Sequence, residues 1–264
     1  MKENNKKTLK EKIKNRETTI GTLVSIPDVT SAIIAGRAGY DFIWIDLEHS
    51  PIDFQTLVAL VVAVKAGGTD VIVRVPQNDL TYTKKVLEIG VDGIIFPMIR
   101  TAAEANENIS NTLYPPYGTR GFGPQNAIGY GYDDAWEYVA KSKDNLCRFI
   151  QIEHIDAVEN IDEIMKNEYI DGYIFGPNDL SGSIGELGRV FDKNTTELIE
   201  VCEAKLHAAG KYVGLATGDI SEKTLRHWHS KGIDMITAGA DYDFIRILAV
   251  QNCENLKKIY KKGE

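Results

Sequence analysis

Two acidic residues, each at the end of an apolar run, are the residues of this sequence that most directly suggest chemistry. One run ends in Gln151-Ile152-Glu153, and the run at 170–175 leads into Gly-Pro-Asn-Asp-Leu-Ser at 176–181, which contains Asp179. Neither acid has a Cys or His at metal-ligand spacing, so the pair favours Mg²⁺, Mn²⁺ or Co²⁺ over structural zinc. The alternative is that both acids only cap the helices that follow.

A histidine and an arginine occupy comparable positions near other apolar runs. His49, in Asp46-Leu47-Glu48-His49, is the one histidine of five at a predicted strand end beside acids, which suits a general base near neutral pH. A purely structural histidine is the alternative. Arg74 lies inside the apolar run 71–75, where burying its charge is costly unless it meets an anion. That anion is either a carboxylate ligand or Asp46 alone.

Lysine and glycine patterns exclude two other kinds of chemistry. A Schiff base requires a lysine in the pocket, yet every lysine lies in the N-terminal tail, in a predicted helix or at the start of a strand, as Lys211 does. This favours a metal route. The sequence has neither a Walker loop nor a G-x-G-x-x-G motif after a strand, so nucleotide chemistry has no motif support.

Repeated strand-helix units must position these residues. Apolar runs alternate with amphipathic stretches, and we count eight units, with strands predicted at 20–25, 42–47, 71–75, 93–97, 146–153, 172–175, 212–216 and 235–238. Helices are clearest at 53–65 and 79–89, and glycines at 39, 90, 210 and 232 are placed to end a helix before a strand. The pattern predicts an α/β fold, a (β/α)8 TIM barrel with its site at the C-terminal strand ends, with an open sheet as the alternative.

One connection is too long to be a simple link between a strand and a helix. Residues 114–124 are rich in turn formers and aromatic residues and contain Arg120. Loops of this length are usually functional when they are ordered. We expect either a rigid cover over the barrel rim or a contact with substrate.

Composition limits the partners and the compartment. The chain has 264 residues, 43% of them hydrophobic, which suits one domain over residues 1–264, with 1–17 as a short N-terminal helical segment. A net charge of −8 disfavours nucleic acid. Three cysteines without close spacing and no run of about 18 apolar residues indicate neither a disulfide framework nor a membrane span. We expect a cytoplasmic protein that acts on small molecules.

Six motifs, in the same order and spacing, resemble the HpcH/HpaI aldolase family. They are residues 46–49, 73–76, 96–98, 114–121, 151–153 and 176–181, and the resemblance extends from Leu9 to the last helix. The resemblance implies a barrel of the phosphoenolpyruvate/pyruvate-binding type. It also implies a homo-oligomer, a hexamer or trimer of dimers, in which the C-terminal helix is swapped between subunits.

The resemblance also assigns roles to individual residues. Glu153 and Asp179 would bind the metal, with Gln151 close by and Arg74 steadying the pyruvyl oxygens. His49 would be the base, acting through a metal-bound water with Asp46 nearby, and Glu88 stands where the family has an aspartate that supports this histidine. Substrate contacts would come from Arg74 and Gln151 and from Pro177, Asn178 and Ser181 of the sixth motif.

These assignments predict a divalent-metal-dependent aldolase. It would reversibly cleave a 4-hydroxy-2-oxo acid to pyruvate and an aldehyde through a metal-bound pyruvate enolate. The alternatives are a citryl- or malyl-type carbon-carbon lyase on the same fold and a catalytically silent assembly subunit. Residues 122–126, 214–219 and 237–241 depart from the sugar-acid aldolases, so the aldehyde remains open.

Overall fold

The computed structural model describes residues 6–261, and it has eight parallel strands that close into a barrel in sequence order. The closure joins β8 to β1, where Ile20 pairs with Ile236. The strands are β1 (Thr19–Val24), β2 (Phe42–Asp46), β3 (Asp70–Arg74), β4 (Gly93–Phe96), β5 (Cys147–Ile152), β6 (Gly172–Phe175), β7 (Val213–Thr217) and β8 (Met235–Ala240). The predicted TIM barrel is therefore confirmed, and the open sheet is excluded.

Helices fill the connections between the strands. They are α1 (Leu9–Lys14), α2 (Val29–Arg37), α3 (Phe54–Ala66), α4 (Leu80–Glu88), α5 (Ala102–Ser110), α6 (Ala135–Asn145), α7 (Ile155–Glu159), α8 (Ile161–Ile164), α9 (Pro177–Ser183), α10 (Lys193–Ala208), α11 (Glu222–His229) and α12 (Asp241–Tyr260), with a 3₁₀ helix at Asn126–Gly131. The side chains of Asp53 and Asp79 cap α3 and α4, so each helix begins one residue after the predicted start. None of the helices described here is long and apolar enough to cross a membrane.

The predicted glycine stops are confirmed by the backbone. Gly39, Gly90, Gly210 and Gly232 all have positive φ angles, between 70° and 98°. Other residues adopt this region only at a steric cost, so glycine ends each helix cheaply before the next strand begins.

Two apolar cores lie on the two sides of the barrel wall. The larger core lies between the strands and the outer helices. The smaller one lies inside the barrel and includes Phe42, Trp44, Ile72 and Phe149. Because side chains alternate along a strand, the residues two positions further on also face the interior, at its C-terminal end. This parity directs the active-site candidates toward one another.

Helix α1 closes the opposite end of the barrel. Leu9 and Ile13 belong to the inner core, and the ammonium of Lys10 donates to Leu146 O at 2.8 Å and to Asp171 Oδ1 at 2.6 Å. The N-terminal helical segment predicted at 1–17 thus corresponds to a short bottom cap at Leu9–Lys14, while residues 1–5 of that prediction lie outside the described range. Because α1 covers the N-terminal ends of the strands, the barrel is open only at their C-terminal ends.

The long loop between α5 and the 3₁₀ helix is anchored by Arg120. Its guanidinium lies 4.4 Å from the ring centre of Tyr114 and 5.6 Å from that of Tyr138, and Nη2 lies 3.1 Å from Glu88 Oε1. The Arg120 side chain is only 1% exposed. Arg120 is thus committed to internal partners at the end of α4, and the predicted rim cover and substrate contact both stay predictions.

Candidate active site

Strand parity brings three polar side chains together at the open end of the barrel. Asp46 follows Phe42 and Trp44 on β2, Arg74 follows Ile72 on β3, and Gln151 follows Phe149 on β5. All three are buried. Buried polar groups require partners, and here each supplies one for the others.

Arg74 is the centre of this network. Its Nε and Nη2 donate to the two carboxylate oxygens of Asp46 at 2.8 Å each. Its Nη1 lies 2.8 Å from Glu48 Oε2 and donates to Gln151 Oε1 at 3.3 Å. The pair with Asp46 that the sequence allowed is present, but the same guanidinium extends further, to Glu48 and Gln151.

Glu153 lies directly after β5 and is almost completely buried, with 2% of its surface exposed. Oε1 accepts from the Met98 amide at 2.6 Å, and Oε2 accepts from Gln151 Nε2 at 3.0 Å. Burial raises the pKa of Glu153 to about 7, against the opposing effect of the Met98 hydrogen bond. The carboxylate is therefore held in place by two hydrogen bonds in surroundings that disfavour its charged form.

The Met98 backbone is strained where it meets Glu153. Its φ is +51°, a region that non-glycine residues rarely adopt. This conformation directs the amide toward Oε1 of Glu153. Such strain persists where the surrounding structure enforces it, which is common at functional sites.

Two more carboxylates surround Glu153. Asp179 lies in the first turn of α9, exposed to solvent, and its charge adds to the upward shift in the pKa of Glu153. The pKa of Glu48 is raised mainly by burial, against the charge of Arg74, and Asp179 contributes to this shift too. Among residues 6–261, Arg74 is the cation that pairs with this group, through Asp46 and Glu48, so carboxylates outnumber cations here.

The donors at this position fit a hard divalent cation that keeps open coordination sites. Within residues 6–261, no three or more His, Cys, Asp and Glu side chains are grouped as a metal site. Glu153 and Asp179 could hold such an ion with two carboxylates, leaving the other positions to water and substrate oxygens, as Mg²⁺ sites commonly do. A site of structural zinc, closed by four protein ligands, does not match these donors.

Gly176 leaves the space that Glu153 occupies. A Cβ atom at this position would lie 2.6 Å from Glu153 Oε2 and 3.0 Å from its Cβ. The Gly176→Ala variant should therefore displace the carboxylate and weaken Mn²⁺ binding by about 10- to 100-fold, the range typical when the support of a metal ligand is disturbed.

Isothermal titration with Mn²⁺ measures this effect. Gly123→Ala is the matched control, because a Cβ atom there would meet nothing within 4 Å. Equal Mn²⁺ affinity in Gly176→Ala and Gly123→Ala would show that the space left by Gly176 for the Glu153 carboxylate is irrelevant to metal binding.

His49 lies at the mouth of the site. Its Nε2 is 3.6 Å from Glu48 Oε2, and its side chain is 66% exposed. With Asp46 and Arg74 it lines a cavity of about 240 Å³. An exposed imidazole beside a carboxylate can exchange protons with a ligand in this cavity.

Glu88 has a different partner from the one expected. In the described part of the chain, Glu88 pairs with Arg120 at 3.1 Å, and the carboxylate beside His49 is that of Glu48. Support of His49 by Glu88 stays a prediction.

Comparison with known proteins identifies the family. The model of the HpcH/HpaI aldolase/citrate lyase family matches residues 24–246, most of the chain and all the site residues above. The chain belongs to this family.

Characterised relatives carry aldolase names. A hydroxypyruvate/pyruvate aldolase from Deinococcus radiodurans is 32% identical over 234 residues, covering 89% of this chain and 84% of its own. A 2-keto-3-deoxy-L-rhamnonate aldolase from Escherichia coli is 34% identical over 234 residues, covering 88% and 86%. The prediction of an aldolase, a carbon-carbon lyase, is confirmed.

A solved structure agrees with the fold over nearly the whole chain. The HpcH/HpaI aldolase from Desulfitobacterium hafniense superposes with a TM-score of 0.88 at 27% identity, covering 96% of this chain and 97% of its own. The barrel and the family are thus supported by sequence and by structure.

The sixth family motif is placed by helix α9. Pro177 is its first residue and is buried, whereas Asn178 is exposed. The Ser181 hydroxyl is buried, donates to Asn178 O at 2.7 Å and accepts from the Gly188 amide at 3.1 Å. These bonds give Ser181 a role in shaping the loop, and its substrate contact stays a prediction.

Sequence reasoning assigned no role to three members of the HpcH/HpaI site. Glu48 lies in a quoted motif, but its contact with Arg74 depends on how the chain turns after β2. Met98 and Gly176 act through backbone geometry. Their presence in the third and sixth motifs was the only available signal, and neither residue type suggests chemistry by itself.

Proposed function

We propose that this protein is a divalent-metal-dependent aldolase that reversibly cleaves a 4-hydroxy-2-oxo acid into pyruvate and an aldehyde. The observation that supports this most is the gathering of the Glu48, Glu153 and Asp179 carboxylates near one guanidinium, that of Arg74, which Gln151 links to Glu153. A cation and an anionic keto acid together would balance such a site. The confirmed aldolase family gives the reaction type.

Each residue then has a part in cleavage. Glu153 and Asp179 would hold the ion, which when bound acts as a Lewis acid toward the substrate's keto group. Arg74, held by Asp46, stabilises the negative charge that develops on the C2 oxygen. Gln151 orients both Arg74 and Glu153 through its two hydrogen bonds. Pro177 and Asn178, beside Asp179 in the first turn of α9, would border the keto acid.

His49 transfers the proton. It removes the proton of the C4 hydroxyl, the C3–C4 bond breaks, and its electron pair forms the enolate of pyruvate while C4 becomes the aldehyde carbon. Protonation of the enolate at C3 completes the reaction. The exposed position of His49 at the cavity mouth supports this role, since it can return the proton to solvent.

Two assays test the proposal. Released pyruvate is measured by coupling to lactate dehydrogenase across a panel of 4-hydroxy-2-oxo acids and a citryl thioester, with and without chelator. Exchange of the pyruvate methyl protons in deuterated water, followed by NMR, reports enolate formation without an aldehyde. We expect both activities and their loss on chelation. Full turnover after thorough chelation, or release only from the thioester, would refute the proposal.

Replacing His49 tests the proton transfer. His49→Asn should lower kcat for cleavage by about 10²- to 10⁴-fold, the usual contribution of a general base. Mn²⁺ binding, measured by titration on the same variant, should survive, because the carboxylates that would hold the ion are not changed. A variant that cleaves at the wild-type rate would assign the proton transfer to another group.

We also propose that the subunits assemble through α12, as a homo-oligomer with the subunit count that the family resemblance implies. Along this helix, Ile245, Leu248, Leu256 and Ile259 are between 48% and 65% exposed. Their spacing places them on one stripe of the helix. An exposed apolar stripe of this length is typical of an interface.

A groove of matching character lies outside the barrel near β8. It has a volume of about 590 Å³, and its apolar lining includes Ile20, Leu225, Ile233 and Ile236. In a closed barrel the last helix ordinarily packs on the outer wall. An α12 from a second copy fits both the groove and the stripe.

Leu248→Glu tests this assembly. A charge in the centre of the stripe should lower the mass of the particle, measured by light scattering, to that of a smaller species. Glu254→Gln on the same helix is the control and should leave the mass unchanged. A full-size Leu248→Glu oligomer would exclude this surface from the interface.

A further inference from the structure

The cavity beside His49 and Arg74 extends toward a part of the barrel with no assigned role. Its far wall is formed by the ends of β1, β7 and β8 and by the first turn of α12. The residues on this wall include Leu23, Ser25, Ala216, Thr217, Tyr242 and Asp243. Its volume of about 240 Å³ suits a fragment of a few carbon atoms.

The position of this wall identifies which part of a substrate it meets. The cavity touches Asp46, His49 and Arg74, whereas Glu153 and Asp179 do not line it. On the proposed function, on which this inference rests, the keto-acid end lies at Glu153, Asp179 and Arg74. The carbon chain beyond C4, which leaves as the aldehyde, then points at the wall.

The charges of the wall are unsuited to an anionic aldehyde. Asp243 contributes a carboxylate whose side chain is 13% exposed. The cation among the described lining residues is Arg74, and it is already engaged by Asp46 and Glu48. Arg246 pairs with Asp243 at 3.0 Å from outside the cavity, with 66% of its side chain in solvent. A second carboxylate here would meet like charge in a partly desolvated site.

The same wall offers hydrogen-bonding groups on one side and apolar groups on the other. Ser25, Thr217 and Tyr242 supply hydroxyls, and Leu23 and Ala216 supply hydrocarbon. Burial, reinforced by Asp243 and Asp241, raises the pKa of the Tyr242 phenol, so it remains a donor at neutral pH. Asp243 is the strongest acceptor on this wall, since hydrogen bonds to ionised groups exceed neutral ones in strength.

We propose that the aldehyde partner is a short, uncharged hydroxyaldehyde, with its hydroxyl donating to Asp243, and that Asp243 discriminates against aldehydes that carry a carboxylate. Asp243 is thus a specificity-determining residue. It also holds the start of α12 by accepting from the Ala240 amide at 3.3 Å, which fixes the carboxylate at the cavity rim.

Size-matched aldehydes test the proposal. The rate of pyruvate addition is measured with glycolaldehyde and with glyoxylate, which differ mainly in exchanging a hydroxymethyl for a carboxylate. Wild type should favour glycolaldehyde in kcat/KM by at least about tenfold, equivalent to about 1.4 kcal/mol. Asp243→Asn, which keeps an acceptor for Ala240, should bring the ratio toward one by improving glyoxylate. Using a ratio within each variant cancels any general loss of activity.

Three outcomes distinguish failure of this specificity proposal from failure of the proposed aldolase function. Absence of pyruvate methyl exchange in wild type would overturn the proposed function and this inference together. Exchange accompanied by a preference for glyoxylate would overturn this inference alone. A preference for glycolaldehyde that persists unchanged in Asp243→Asn would overturn the role of Asp243. The control is Glu254→Gln, exposed on the same helix, which should retain the wild-type ratio.

Discussion

The Glu153→Gln variant should lose about 10³-fold or more in kcat/KM for pyruvate release, because a Lewis acid stabilises the transition state by several kcal/mol. Glutamine preserves the size of the side chain and can still accept from the Met98 amide. It removes the negative charge that a divalent ion requires. The loss should therefore reflect metal binding and not a collapsed site.

Two measurements on Glu153→Gln distinguish loss of metal binding from collapse of the site. Mn²⁺ titration should show affinity reduced to the limit of detection, and the thermal midpoint should stay close to that of wild type. Glu159→Gln, exposed on α7, is the matched control and should be fully active. A Glu153→Gln enzyme that binds Mn²⁺ as tightly as wild type would mean that the ion lies elsewhere.

The pH dependence of metal binding follows from the same carboxylate. With a pKa of about 7 in the metal-free protein, Glu153 holds a proton below neutral pH that a metal must displace. Apparent Mn²⁺ affinity in wild type should thus fall by about tenfold per unit as pH drops below 7. In the metal-free protein the folded state binds this proton more tightly than the unfolded state, so its contribution to stability declines as pH rises from about 4.5 to 7.

Replacing Arg74 should have the second large effect, because it lowers both the stability of the fold and the rate of cleavage. Arg74→Met should lower the free energy of unfolding by about 3–5 kcal/mol, because it leaves Asp46 buried without its cation. Arg74→Lys retains a charge but cannot make the two parallel bonds to Asp46, so it should fold and still lose about 10²-fold in cleavage. Urea unfolding and the pyruvate assay measure the two effects.

A double variant distinguishes loss of the ion pair from loss of packing. Asp46→Asn in the Arg74→Met background removes the stranded charge and should restore part of the lost stability, whereas independent sites would add their costs. If the two changes are simply additive, the pair with Asp46 is not what stabilises this end of the barrel.

Much of the fold could be predicted because barrel strands are buried on both faces. Their apolar runs are continuous and the glycine before the strand is often required by geometry, as at Gly90 and Gly232, whose φ angles are positive. The parity of a strand then relates Phe149, Gln151 and Glu153, so the inward position of Gln151 follows from the pattern once the strand is known.

The remaining features depend on contacts between segments distant in sequence. Glu88 meets Arg120 because the long loop folds back over α4, and no spacing along the chain reveals this. Likewise, Asp243 joins His49 at one cavity only because closure of the barrel brings β8 and α12 beside β1. The backbone strain at Met98 leaves no signature in residue type.

Anomalous diffraction from crystals soaked with Mn²⁺ and pyruvate tests the central claim most directly. We predict one manganese peak within coordination distance of both Glu153 and Asp179, with the keto acid bound beside Arg74 and its methyl group directed toward the cavity at His49. A manganese peak elsewhere, or carboxylates of Glu153 and Asp179 that do not share the ion, would contradict it.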